Sequence, residues 1–126
     1  MSIRVRKAVS LWLPVALCAA LIFVFSSIPN LSSGLGRWDL ILRKLAHTGE
    51  YALLAALLLR ALARPWPALA IAVAYAASDE LHQHFVRGRV GSPRDIAIDA
   101  AGAAIGLIVF SSRRRIAIKL KLAKPD

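Results

Sequence analysis

The block "AVSLWLPVALCAALIFVFSSI", Ala8 to Ile28, constrains this chain more than any other stretch. Roughly 20 apolar residues cross the hydrocarbon core of a bilayer, and this block is long enough and carries no charge. Of the 126 residues, 58% are hydrophobic, and the mean hydropathy is +0.60. Soluble domains are usually about half apolar, and here the excess lies in blocks, which marks a membrane protein. The length suits one small domain, residues 1–126, with no room for a separate soluble module. A cleaved signal peptide also opens on a basic stretch, here "RVRK". Its apolar region is normally only about 7–15 residues, so the block reads as a retained span over 8–28. Cys18 is the only cysteine; it can form no intramolecular disulfide and reads as a small packing residue.

Three further segments read as helices: 45–63, 66–84 and 96–112. Pro67 stands near the start of the third, where a missing N–H costs little. The turn "ARPW" is short, so the second and third helices are expected to be an antiparallel pair. The expected fold is all-α: a polytopic membrane protein with four transmembrane helices in a small bundle.

With four spans, both termini lie on one side of the membrane. Eleven Lys and Arg fall there: Arg4, Arg6, Lys7, Arg60, Arg64, Arg113, Arg114, Arg115, Lys119, Lys121 and Lys124. Only Arg37, Arg43, Lys44, Arg87, Arg89 and Arg94 fall opposite. The positive-inside rule therefore predicts cytoplasmic termini. Asp126 is the one acid on the terminal side, so that side carries the whole net charge of +10, and the opposite end is a balanced cluster. The basic residues are thus accounted for by topology and pairing, and a nucleic-acid partner is not expected. The tail 113–126, "RRRIAIKLKLAKPD", is a basic cytoplasmic segment that would also suit anionic lipid. Its alternation fits a short interfacial strand or a helix.

The second, third and fourth spans all carry ionisable residues towards the opposite end. Their purely apolar stretches are too short to cross alone, so the polar motifs extend into the membrane. Such residues usually face the bundle interior and mark function. In "RKLAHTGEY", Lys44, His47, Thr48 and Tyr51 share one helical face, with Glu50 at its edge and three residues from His47. Without a ligand, this would be an interfacial first turn with Lys44 snorkelling. In "SDELHQHF", Ser78, Asp79, His82 and Gln83 form one arc, which Glu80 and His84 continue. Glu80 and His84 also suit a local i, i+4 pair.

The loop and fourth span read "VRGRVGSPRDIAIDAAGAAIGLI". Ser92, Pro93 and Asp95 suit N-cap, N1 and N3 of a helix, a capping-box-like start that would explain Asp95 without function. Asp99 lies a turn deeper, on the face of Gly102 and Gly106, a small-residue seam that admits a close neighbour. Its partner is open among Lys44, His47, Arg87 and Arg89.

Taken together, "FSSIP", "KLAHTGEY", "SDELHQHFVRGRVGSPRD" and "IDAAGAAIG" resemble the VanZ-like membrane family over about residues 26–110. Thr48 departs from the pattern, since an aromatic residue often follows the histidine. The resemblance implies a small multi-span helical protein of the cell envelope. The family's founding member is associated with low-level resistance to teicoplanin, a glycopeptide with a lipid tail.

Three functions follow as expectations. The first is a pocket on the extracytoplasmic side for a lipid headgroup or lipid-tailed ligand, such as an envelope lipid precursor or a lipoglycopeptide. Lys44, Tyr51, Gln83, Arg87, Arg89, Asp95 and Asp99 would bind it, the arginines gripping phosphate or carboxylate oxygens. The second is an intramembrane hydrolase or transferase on an envelope lipid, with His47, Glu50, Asp79, Glu80 and His82 catalytic. Helix bundles build metal sites from such i, i+3 pairs, and bound metal activates water. The spacing matches no zincin motif, however, so no metal ligand is assigned and the cofactor is left open. The third is a proton-linked transporter, for which four short spans are few unless the chain forms a homo-oligomer. Against all three stands an ionic network that only fixes the packing.

Overall fold

The computed structural model describes residues 1–29 and 34–123; Lys124 and Asp126 lie outside them. Four helices among the described residues run in alternating directions: α1 (Ile3–Ser27), α2 (Arg37–Leu62), α3 (Pro65–Gln83) and α4 (Pro93–Leu122). Three of them, α1, α2 and α4, are long and apolar enough to cross a membrane. The shorter α3 falls below that mark because its ends are polar: prolines and Trp66 at one end, Asp79, Glu80, His82 and Gln83 at the other.

Local chemistry sets the helix ends. The Ser2 hydroxyl accepts from the Val5 N–H at 3.4 Å and caps α1. Ala63 takes the left-handed conformation, φ 57°, and its N–H closes onto the Leu59 carbonyl at 2.8 Å. Pro65 then opens α3, two residues before the Pro67 expected there. Ser92 caps α4 as expected, accepting from the Arg94 N–H at 3.2 Å.

α1 starts at Ile3 and α4 at Pro93, ahead of the expected residues 8 and 96, and two other boundaries move further. α2 begins at Arg37 rather than Leu45. Residues 37–44 are mostly good helix formers, and Asp39 favours the first turn, so the helix extends beyond its apolar part. α4 continues unbroken to Leu122, which resolves the "IAIKLKL" alternation in favour of helix.

The packing order follows small residues. α4 packs most extensively on α2, while α1 touches α2 and α3 but not α4 among the described residues. α2 and α3 are therefore the central pair. A Cβ at Gly102 would stand 2.6 Å from the Thr48 carbonyl oxygen, and one at Gly106 would overlap the Ala52 carbonyl. The seam read from sequence is thus where α4 meets α2. On α3, Ala68, Ala72 and Ala76 form a buried stripe at four-residue spacing. Ile22, Tyr51, Leu54, Leu58 and Leu107 fill the core. Outward, Leu13, Leu17 and Leu21 on α1 and Ile105, Ile108 and Val109 on α4 are exposed. That surface is costly in water and suits lipid, with backbone polar groups satisfied inside each helix.

Candidate functional site

The ends of α1 and α3 and the starts of α2 and α4 meet at the end of the bundle opposite the termini. A pocket of about 420 Å³ opens there. Phe25, Leu40, Val90 and Ile98 give it an apolar wall, and Arg43, Lys44 and Arg89 bring positive charge. His47, Glu50, Glu80, Gln83, Asp95 and Asp99 line the rest.

His47 is the hub. Its Nδ1 lies 3.3 Å from Glu50 Oε2, the pairing expected from their spacing. Its Nε2 lies 3.1 Å from Asp79 Oδ2 and 3.2 Å from Asp99 Oδ2, with neither aligned as a hydrogen bond. Of the partners left open for Asp99, the fold brings His47. Asp79 Oδ2 also accepts from the Ser26 hydroxyl at 2.8 Å and the Gln83 amide at 3.1 Å, so α1 and α3 are joined through this carboxylate. Tyr51 is fully buried and meets the His47 ring edge-on at 5.1 Å. Its hydroxyl has no hydrogen-bond partner among the described residues.

The rim is built separately. Lys44 Nζ donates to Asp95 Oδ1 at 2.8 Å. The Ser92 N–H donates to Glu80 Oε2 at 2.9 Å. The capping box is therefore only half made: Ser92 caps α4, but its own N–H is taken by α3, and Asp95 turns to α2. The expected Glu80–His84 pair is replaced in the same way, and His84 is exposed beside Phe85. Gly91 lets the loop cross so close to α3 that a Cβ would overlap the Glu80 carbonyl. Arg89 fastens this loop to α1, donating to the carbonyls of Ile28 at 3.2 Å and Phe25 at 2.7 Å. Burial lowers its guanidinium pKa from the ordinary value, and the nearby positive Arg43 adds to the effect.

A family model described as VanZ/LLP1 matches residues 4–117. The chain belongs to the VanZ/LLP1 family. No curated protein and no solved structure matches it significantly.

In this VanZ/LLP1 chain, most of the residues singled out from sequence meet at the pocket. Lys44, His47, Glu50, Glu80, Gln83, Arg89, Asp95 and Asp99 line it. Asp79 and Tyr51 are buried and contact its His47. Two others are placed elsewhere. Arg87 is exposed on the loop. His82 turns to α1, 2.9 Å from the Ser27 hydroxyl and stacked on Phe23 with ring centroids 4.7 Å apart. Sequence reasoning did not single out Ser26 or Arg43. Ser26 is 2% exposed, and its signals were a pair of serines closing an apolar span and its place in "FSSIP". Arg43 offered no signal beyond its charge.

Proposed function

We propose that the pocket receives the anionic headgroup of a membrane lipid or lipid-tailed molecule. One observation carries this reading: one cavity of about 420 Å³ combines an apolar wall, whose Phe25 and Leu40 are also exposed outside, with the basic Arg43, Lys44 and Arg89. An acyl chain suits the first, and phosphate or carboxylate oxygens suit the second. The charge asymmetry of the sequence supports cytoplasmic termini, and hence a pocket facing the outer leaflet of the cell membrane.

The test is mass spectrometry of lipid that co-purifies with the full chain, compared with a Lys44→Gln/Arg89→Gln variant. An anionic lipid enriched in the wild type and lost from the variant is expected. No enrichment, or equal enrichment in both, would sink the reading. Added teicoplanin is a second arm, which separates an envelope lipid from a lipoglycopeptide as the source of the tail.

A second reading is favoured by one feature, the placement of His47 between Glu50 on one ring nitrogen and Asp79 and Asp99 on the other. Such a residue can act as a general base in an intramembrane hydrolase or transferase on the same lipid. Turnover of the co-purified lipid that vanishes in His47→Gln would support it; an intact lipid after prolonged incubation with wild type would not.

A further inference from the structure

Four carboxylates surround one imidazole beneath the pocket. Asp79 and Glu80 are each 4% exposed and Asp99 is 2% exposed, and Glu50 stands beside His47. The three basic residues that line the pocket have partners other than these acids. Lys44 pairs with Asp95, Arg43 with Asp39, and Arg89 with the carbonyls of α1. Even a protonated His47 would leave the carboxylates in excess. Buried charge of one sign is expensive without a counter-charge.

His47, Glu80 and Asp99 each offer one ligand atom, and these atoms lie within 4.8 Å of one another. A second observation is independent of that grouping. Asp99 Oδ2 accepts no hydrogen bond from the described residues although its residue is almost fully buried, and it faces His47 Nε2 at 3.2 Å.

We propose that His47, Glu80 and Asp99 form a binding site for a first-row divalent cation. One imidazole with two carboxylates suits Mn²⁺ or Zn²⁺ better than an oxygen-only site would, whereas Mg²⁺ and Ca²⁺ prefer oxygen ligands throughout. Three protein ligands leave coordination positions for water or for an oxygen of a bound molecule. The surroundings fit. When Nε2 binds the ion, Nδ1–H donates to Glu50, the carboxylate–histidine–metal relay that fixes a ligand's tautomer. Ser92 holds one Glu80 oxygen through its N–H. Asp79, engaged by Ser26 and Gln83, supplies charge at close range and positions His47. The site stands apart from the headgroup reading, since the ion requires no lipid.

The experiment uses the full chain in detergent micelles, stripped with chelator and titrated with Mn²⁺, the free ion being read by electron paramagnetic resonance. Zn²⁺ serves as competitor. Saturable binding of one Mn²⁺ per chain is expected, displaced by Zn²⁺. Asp99→Asn and Glu80→Gln should each weaken it at least about tenfold, and Glu50→Gln about 10–100-fold. Asp39→Asn, an acid of the same end outside the trio, should change it less than about twofold, as expected for a group that is no ligand. No saturable binding by wild type, or affinities unchanged in both Asp99→Asn and Glu80→Gln, overturns the proposal. If Asp99→Asn does not purify as a monodisperse protein, Glu80→Gln at the pocket wall decides. The ion titration needs no lipid, and the lipid comparison needs no ion. Lipid enrichment without ion binding therefore defeats this proposal alone, and ion binding without lipid enrichment defeats only the headgroup reading.

Discussion

Lys44 and Asp95 join α2 to α4 across the rim of the pocket, Nζ to Oδ1 at 2.8 Å. The pair is short, yet the Lys44 side chain is 44% exposed. Exposed ion pairs contribute little, typically below about 1 kcal/mol. Lys44→Gln should therefore leave the thermal midpoint of the purified protein within a few degrees. A collapse of stability in that variant would contradict a rim that is built for access.

Gly106 behaves oppositely. Any side chain there meets the Ala52 backbone, which has no way to swing aside. Gly106→Ala should cost about 1–3 kcal/mol as α4 is pushed off α2. Gly49, also helical, has nothing within 4 Å of the point where a methyl carbon would stand, so Gly49→Ala should gain up to about 1 kcal/mol. Denaturation of both variants in the same micelle checks the contrast, and equal effects would refute it.

Ser26→Ala removes a buried donor from Asp79 and leaves Gln83 as its remaining hydrogen-bond donor among the described residues. The expected loss is about 1–3 kcal/mol. Ser27→Ala, whose half-buried hydroxyl bonds back to the Phe23 carbonyl at 2.7 Å and meets the His82 ring at 2.9 Å, should cost less, because neither contact is fully buried. Paired unfolding curves would show the order, and a reversed order would count against Asp79 as the joint between α1 and α3.

Arg89→Lys keeps the charge but cannot reproduce the fork that spans the Phe25 and Ile28 carbonyls. Hydrogen exchange in residues 85–91 should quicken by about tenfold or more, corresponding to roughly 1.4 kcal/mol of lost local protection. Exchange in α2 should not change. Unaltered loop exchange would mean that Gly91 and the Glu80–Ser92 contact hold the loop without Arg89.

What the sequence made legible was what depends on one helix at a time. The apolar period, the Ser92–Pro93 start, the Gly102–Gly106 seam and the His47–Glu50 pairing are all local, and each is present. What it left open depends on how helices are rotated and how deeply they cross. His82 and Asp79 are three residues apart on α3, yet Asp79 meets His47 while His82 stacks on Phe23. That division is set by the placement of α1, which no period in α3 encodes. The half-made capping box has the same origin. Ser92 and Asp95 satisfy the local rule in sequence, but Glu80 and Lys44, brought close by the fold, compete successfully for them.

The unbroken course of α4 gives the molecule a lever. Its 30 residues make a rod about 45 Å long at 1.5 Å per residue. The upper end carries Asp95 and Asp99 to the pocket, and the last turn at the lower end carries Lys119 and Lys121. With α4 pressed against α2 at Gly102 and Gly106 as a fulcrum, whatever occupies the pocket and whatever surface the basic end rests on act on one rigid beam. A tilt of one degree displaces one end by about 0.8 Å relative to the other, enough to make or break a hydrogen bond at the rim.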